Sequence, residues 1–211
     1  MDTGDVPSLP RGRHHLSRAE VRGAQRDRLL TGMVEVVAEQ GYGAATVGAV
    51  LKRVHISRET FYQHFADKED CFLAAFDVAS DRLIAMIEST LGGQEDPALE
   101  RLDRVLTMYL GVLSGSPTLA RTFLIEVYGA GRAAVTRRIA AQERFAVAIA
   151  DVLLRDEHWS GDIDAKFAGR AVIGAVSALV TAYVDAGRYE ELPELRGQLL
   201  DLVAAMMKGS A

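Results

Sequence analysis

Residues 54–70 combine aromatic side chains with a dense set of hydrogen-bonding groups. Phe61 and Phe65 are spaced i and i+4, so they form an apolar stripe that can hold a short helix against its neighbours. The polar side chains left on the outer face are Arg58, Glu59, Thr60, Tyr62, Gln63 and His64. Such a face suits the DNA major groove, where base edges offer donors and acceptors and the walls are phosphates.

The elements around this stretch predict a helix-turn-helix. Thr46 is placed to cap a short helix that runs to about Val54, and Ser57 is placed to cap a second helix that runs to Phe65. Asp67 is placed to cap the long helix that follows these two. Lys68 then falls in the first turn of that helix, where a cation is poorly placed for the helix dipole, and a phosphate partner would explain it.

Apolar residues recur at helical spacing along almost the whole chain, which predicts an all-α fold of nine helices. Pro97 and Pro117 each mark a first helical turn, the latter after a capping Ser116. The expected helices span 17–40, 46–54, 57–65, 67–91, 97–115, 116–129, 132–154, 163–186 and 193–207.

Charge is distributed unevenly along the chain. The net charge is −5, but residues 1–65 hold nine Arg/Lys and seven Asp/Glu, a net of +2. Six arginines lie between Arg11 and Arg28, so this end is suited to meet anions. For Arg11 to His15 the sequence leaves two alternatives open, a disordered tail and an arm that touches DNA.

Composition excludes several other classes of protein. Cys71 is the only cysteine, so neither an internal disulfide nor a CxxC metal site is possible, and a reducing cytoplasm is the expected location. The most apolar stretch, 171–184, is interrupted by polar residues and is too short to span a bilayer, so no membrane association is expected. No P-loop, G-x-S-x-G or H-E-x-x-H motif occurs, and we expect no catalytic residues, metal or cofactor.

The segment "TVGAVLKRVHISRETFYQHFADKEDCFLAAF" resembles the DNA-binding signature of the tetracycline-repressor (TetR) family. The resemblance covers about residues 23–83. It implies a basic arm at 1–22, a DNA-binding domain at 23–83 with its helix-turn-helix at about 46–65, and a ligand-binding and dimerisation domain at 84–211. One departure is His55, which stands where the family usually has glycine; histidine is among the few residues that visit the left-handed region at modest cost.

The resemblance also implies roles for individual residues. Thr46, Thr60, Tyr62, His64 and Lys68 would face phosphates, with Ser57 as the cap of the recognition helix. Arg58, Glu59 and Gln63 would sit at base edges. The partners implied are double-stranded, pseudo-palindromic operator DNA and a second copy of the chain.

The C-terminal two-thirds offers candidates for dimerisation and for ligand binding. Small residues and an apolar stripe on the last two helices predict a dimer interface that contains Gly174, Ala178, Ala182, Leu199, Leu202, Val203 and Met206. Large adaptable residues among hydrogen-bonding ones predict a pocket for a small apolar effector, although core packing explains the same residues nearly as well. The pocket candidates are Met108, Tyr109, Phe123, Glu126, Tyr128, Phe145, Arg170 and Tyr183.

We interpret the sequence as a homodimeric, cytoplasmic transcriptional regulator that associates with the nucleoid when bound to DNA. The preferred hypothesis is a repressor that a small molecule releases from its operator. Two alternatives stay open, a TetR-type activator or DNA-binding protein that senses no small molecule, and an all-α enzyme.

Overall fold

The computed structural model describes residues 17–91 and 96–208. Within these ranges the chain forms nine α-helices and two 3-10 helices, and no β-strand, so the predicted all-α fold is confirmed. The α-helices are α1 (Arg18–Gln40), α2 (Val47–Val54), α3 (Arg58–His64), α4 (Lys68–Leu91), α5 (Ala98–Gly115), α6 (Pro117–Leu124), α7 (Arg132–Leu154), α8 (Ala165–Asp185) and α9 (Leu195–Met207). The 3-10 helices are Glu126–Tyr128 and Tyr189–Glu194.

Several helices begin at the capping residues that the sequence indicates. Ser17 and Glu20 form a reciprocal capping box at the start of α1. The carboxylate of Asp67 accepts a hydrogen bond of 2.9 Å from the backbone N–H of Asp70 at the start of α4. Ser57 caps α3 through a 3.1 Å bond from the N–H of Thr60. These local contacts explain why the helix starts are predictable.

Three boundaries differ from the prediction. The Ser116 side chain makes no capping bond, and α6 opens on Pro117 alone. It ends at Leu124, because a 3-10 helix takes the place of its last predicted turn. Pro193 lies inside the second 3-10 helix rather than in the first turn of α9, which begins two residues later.

The buried side chains form two clusters. The first is centred on α1 to α4, with Leu29, Phe61 and Phe72 fully buried, and Val127 and Ala134 join it from the C-terminal half. The second cluster comprises α5 to α9. Because α4 runs without interruption through residue 83, the predicted domain boundary falls inside a helix.

Two glycines allow helices to approach closely. A Cβ added at Gly32 of α1 would lie 2.3 Å from the Cγ1 of Val54, at the end of α2. A Cβ added at Gly169 of α8 would lie 2.3 Å from the carbonyl oxygen of Ala146, in α7. Each position therefore brings two helices closer together than any larger residue permits.

Helix α8 is, by length and composition, apolar enough to cross a membrane. The sequence-based argument that this stretch is too short is therefore wrong, since the helix has 21 residues. Its Val172, Val176, Val180 and Val184 are buried inside the chain, but they form only one face of the helix, since 33% of its most apolar window is buried. Core helices pass the same test of length and composition.

Candidate DNA-binding surface and ligand cavity

Helix α3 is held from behind by aromatic side chains. Phe61 and Phe65 are 0% and 3% exposed, and their ring centroids lie 5.7 Å apart. Tyr62 packs edge-to-face on Phe61 yet is 51% exposed. On the outer face, the side chains that are exposed to solvent are Arg58, Glu59, Tyr62 and Gln63. The arrangement of this helix, apolar behind and polar in front, is the predicted one.

Hydroxyl groups at the helix starts are engaged locally. The Thr46 hydroxyl accepts a 3.1 Å bond from the N–H of Ala49 at the start of α2. The hydroxyls of Ser57 and Thr60 lie 2.9 Å apart and hydrogen bond to each other. Thr46 and Ser57 are exposed, so each retains acceptor or donor capacity for a partner outside the chain.

The turn between α2 and α3 depends on a left-handed residue. His55 has φ 51° and ψ 48° and donates its N–H to the carbonyl of Leu51, which ends α2. It is the one non-glycine residue with positive φ in the described ranges. The expectation that histidine occupies the usual glycine position in a left-handed conformation is confirmed.

Lys68 has a structural role that the sequence did not indicate, and its predicted phosphate contact stays a prediction. Its Nζ donates to the carbonyl oxygens of Tyr42 at 2.9 Å and Ala45 at 3.0 Å, and lies 4.1 Å from the centre of the Tyr42 ring. The lysine thus ties the start of α4 to the turn between α1 and α2. No phosphate is needed to explain a cation at this position.

His64 also departs from the prediction. Its ring is half-buried, and the Nε2 atom is enclosed without a hydrogen-bond partner among the described residues. Burial lowers the pKa of His64, and the neighbouring charges of Arg22 and Arg26 lower it further. The neutral, inward-turned ring packs beside Phe65, with centroids 6.1 Å apart, rather than projecting freely toward a phosphate.

Basic residues of α1 lie close to the end of α3. The guanidinium of Arg26 stands 5.6 Å from the centre of the Phe65 ring, and the charges of Arg22 and Arg26 both act on His64. The Arg28 side chain donates to the carbonyl of Val54, at the end of α2. The arginine-rich sequence indicates a cationic surface here, but only the packing of α1 shows which arginines lie beside the recognition helix. Arg11 to His15 lie outside the described residues.

A cavity of about 650 Å³ lies within the C-terminal half and extends to α1 and α4. Its wall is mostly apolar. Of the predicted pocket residues, Tyr109, Phe123 and Phe145 line it. Helix α4 contributes Ala75, Phe76 and several residues up to Leu91. A cavity of this size and lining is typical of a small-molecule site.

Five predicted pocket residues do not line the cavity: Met108, Glu126, Tyr128, Arg170 and Tyr183. The Arg170 guanidinium is exposed and makes an ion pair with Glu143. The Tyr183 ring stacks under Arg188, 4.3 Å away. Met108 lies on α5 beside Tyr109 but contributes nothing to the wall. Helical spacing alone does not tell which of these faces turns inward.

Glu126 serves a long-range contact instead. Its carboxylate accepts a 2.9 Å hydrogen bond from the N–H of Tyr42 and makes an ion pair of 3.2 Å with Arg121. Glu126 therefore ties the first 3-10 helix to the turn that Lys68 also contacts. Its predicted place among the pocket residues is therefore wrong, because its carboxylate is engaged by Tyr42 and Arg121.

Three polar residues of the cavity wall were missed by sequence reasoning. Arg138 is 6% exposed and lines the cavity together with Gln142 and Ser177. The Ser177 hydroxyl accepts from Arg138 Nη2 at 2.9 Å and from Gln142 Nε2 at 2.8 Å. The exposed Tyr128 contributes indirectly, since its hydroxyl accepts from Arg138 Nε at 3.2 Å. No signal in the sequence singles out Arg138, because α7 carries five other charged residues: Arg132, Arg137, Glu143, Arg144 and Asp151.

The predicted dimer residues divide into two groups. Gly174, Ala178 and Ala182 are exposed along one face of α8, and Leu202 of α9 is 40% exposed. Met206 is half-buried. Leu199 and Val203 are 2% and 1% exposed because they pack in the chain's own second cluster, so their assignment to a dimer interface is wrong.

Comparison with known proteins agrees with the geometry of the helix-turn-helix. Residues 29–75 match the family model described as "Bacterial regulatory proteins, tetR family". These residues include α2, α3 and the start of α4, with the exposed recognition face described above. Over residues 29–75 the chain is therefore similar to the DNA-binding region of the tetR family.

The chain matches known transcriptional regulators over most of its length. The chain is 24% identical over 182 residues to the fatty acid metabolism regulator protein of Bacillus subtilis (strain 168), covering 84% of this chain and 93% of that protein. It is 26% identical over 180 residues to the transcriptional activator FasR of Mycolicibacterium smegmatis, covering 85% and 78%. Both of these similar proteins are transcriptional regulators, which is consistent with a helix-turn-helix in this chain.

A solved structure shares the fold. The structure of FadR from Bacillus subtilis in complex with stearoyl-CoA superposes with a TM-score of 0.74 at 21% identity. The alignment covers 85% of this chain and 98% of that one. The helical C-terminal half is therefore shared along with the DNA-binding half.

Proposed function

We propose that this chain is a tetR-type transcriptional regulator, a cytoplasmic homodimeric repressor. Its affinity for the operator falls when a molecule with a long apolar chain, of the fatty acyl kind, occupies the cavity. The observation that carries this proposal is the cavity of about 650 Å³, bordered on one side by α4, the helix that begins in the DNA-binding half. Support comes from the similar structure of FadR from Bacillus subtilis, which is a complex with stearoyl-CoA.

DNA recognition is assigned to the exposed face of α3. Arg58, Glu59 and Gln63 are proposed to read base edges, because they project opposite the buried phenylalanines. Tyr62, Thr60 and Thr46 are proposed to contact phosphates, which would fix the helix in the groove. Arg22 on the exposed face of α1 is a further candidate for a phosphate contact.

Dimerisation is assigned to the exposed face of α8 and to neighbouring exposed apolar residues. Gly174, Ala178 and Ala182 leave this face of α8 nearly flat, which permits close approach of a second helix. Phe167 is 64% exposed on the same helix, and such a residue is a natural anchor for a partner. A dimer would place two copies of α3 on one pseudo-palindromic operator.

Coupling between cavity and DNA is assigned to α4. Phe76 is buried in the first cluster and also lines the cavity, so one residue faces both regions. Farther along α4, Asp77 and Asp81 make ion pairs with Arg137 and Arg144 of α7. A ligand that separates α4 from α7 would shift the helix whose start adjoins the recognition helix. A coupling of about 1–3 kcal/mol would weaken the operator complex roughly 5- to 150-fold.

The test begins with selection of an operator from random DNA, followed by fluorescence anisotropy of the labelled operator. Stearoyl-CoA and shorter acyl compounds are then added, and release of the operator at ligand concentrations that saturate the cavity is expected. Arg58→Ala should relax the base preference at one position and cost about 1–3 kcal/mol there. Ligand binding without any change in operator affinity would remove the sensing role, and tighter binding would indicate an activator-like response.

A further inference from the structure

The cavity wall contains a buried cation that no carboxylate neutralises within the described residues. Arg138 donates to four oxygens, and all four are neutral: the Tyr128 hydroxyl, the Phe123 carbonyl, and the hydroxyls of Ser177 and Thr181. A guanidinium that is 6% exposed has lost most of its hydration. Burial of a charge is costly unless a counter-charge compensates it.

The groups beside Arg138 in the wall can also donate. Both lone pairs of the Ser177 hydroxyl are occupied, since it accepts from Arg138 and Gln142, so its own hydrogen is left to donate. The hydroxyl of Tyr109 is protonated at neutral pH at its ordinary pKa, and burial raises this pKa further, to about 12, while the nearby charge of Arg138 acts to lower it. Three donors, from Tyr109, Arg138 and Ser177, therefore line the same apolar cavity.

We propose that the effector carries a carboxylate at one end of its apolar chain, and that Arg138 binds this carboxylate with help from Ser177 and Tyr109. This inference rests on the proposed function and names the chemical class of the effector. A bound carboxylate would neutralise the buried guanidinium and supply the acceptor that the surrounding donors require. A fatty alcohol would fill the apolar part equally well but bring no charge.

The position of this cluster connects the carboxylate to the helices around the cavity. Arg138 lies on α7 next to Arg137, the partner of Asp77 in α4, and its Nη1 holds the carbonyl of Phe123 near the end of α6. A carboxylate that draws the guanidinium toward the cavity would pull on the Phe123 carbonyl and on Ser177 of α8. The head group, rather than the chain alone, would then determine whether the helices shift.

The experiment compares dodecanoate, 1-dodecanol and dodecanoyl-CoA on the full-length protein, by displacement of a fluorescent fatty probe and by release of the selected operator. Dodecanoate should bind about ten- to a hundredfold more tightly than 1-dodecanol to the wild type. The ratio should fall to near one in Arg138→Gln. In Tyr109→Phe, which removes only the hydroxyl, dodecanoate should weaken several-fold while 1-dodecanol changes little. A purely structural role of Arg138 would lower the affinity for both compounds alike.

The outcomes separate this inference from the proposed function. Equal binding of dodecanoate and 1-dodecanol by the wild type, with operator release by both, overturns the carboxylate and leaves the sensing role intact. Release by dodecanoyl-CoA alone does the same, because its thioester has no charge at the end of the chain. If none of the three compounds binds, both proposals fail. Should Arg138→Gln not fold, the wild-type ratio and the Tyr109→Phe variant still decide the question.

Discussion

Replacement of Lys68 by methionine distinguishes between two roles of this residue. Methionine has an unbranched side chain of similar length but lacks the ammonium group, which donates hydrogen bonds to the Tyr42 and Ala45 carbonyls at 2.9 and 3.0 Å. If the lysine fastens α4 to the α1–α2 turn, Lys68→Met destabilises the fold. If its main partner is a phosphate, the variant keeps its stability and loses only DNA affinity.

The expected loss follows from these contacts. A hydrogen bond that involves a charged group contributes about 1.5–3 kcal/mol, and the cation–π contact with Tyr42 adds about 0.5–2 kcal/mol. Because Lys68 is only half-buried, solvent screens all three interactions, and we expect a total loss of about 2–3 kcal/mol. For a chain of this size that corresponds to a fall in Tm of about 4–12 °C.

The assay is thermal unfolding followed by circular dichroism, with anisotropy measurements of operator binding at several salt concentrations. Lys52→Met is the matched control, since Lys52 is exposed on α2 in the same half of the molecule. It should unfold within about 0.5 kcal/mol of the wild type. The structural role is refuted if Lys68→Met keeps the wild-type Tm while the dependence of operator affinity on salt decreases by about one counterion.

Three further substitutions test the packing, the turn and the recognition helix. Gly169→Ala should lower the free energy of unfolding in urea by roughly 1–3 kcal/mol, because the new Cβ meets the Ala146 carbonyl. The control Gly174→Ala, whose Cβ would have no atom within 4 Å, should not destabilise the subunit. Equal effects of the two variants would contradict the close approach of α7 and α8. His55→Gly should raise the free energy of unfolding by up to about 1 kcal/mol, and with it the Tm, because φ is 51° at this position. His55→Val should lower the Tm, and a stabilised valine variant would argue against this turn. The pKa of His64 in the folded chain lies below its ordinary value, so the unfolded chain binds the proton more readily and stability falls as the pH drops from 7 to 5. His64→Gln should reduce this dependence of the Tm on pH. If the dependence is unchanged in the variant, His64 does not cause it.

The helix-turn-helix could be predicted because its determinants are local in sequence. The capping bonds of Ser57 and Asp67 join residues three apart, and the Phe61–Phe65 stripe spans one turn. The capping bonds and the stripe depend on neighbours within a few residues, which a single sequence displays directly. The left-handed conformation of His55 was expected instead from the resemblance, because this family usually has glycine at that position.

The cavity and the inter-helix contacts could not be predicted in the same way. Periodicity identifies an apolar stripe on α9, but it does not tell whether the chain's own helices or a second copy of the chain cover that stripe. The buried Leu199 and Val203 were therefore grouped with the exposed Leu202. Arg138 and Ser177 are 39 residues apart, and their meeting depends on the close α7–α8 packing at Gly169. Such contacts are set by the whole arrangement of helices, and no local pattern encodes them.

The turn between α1 and α2 is one place where both halves of the molecule meet. Lys68 of α4 donates to the Tyr42 carbonyl, while Glu126 accepts from the Tyr42 N–H across 84 residues of sequence. The backbone carbonyl of Tyr42 thus holds the start of α4, and its backbone N–H holds the first 3-10 helix. Because breaking either charged hydrogen bond is costly, a ligand-induced shift of α4 should retain both. We therefore expect the DNA-binding half to rotate as one body, which changes the spacing between the two recognition helices of a dimer while each keeps its own geometry.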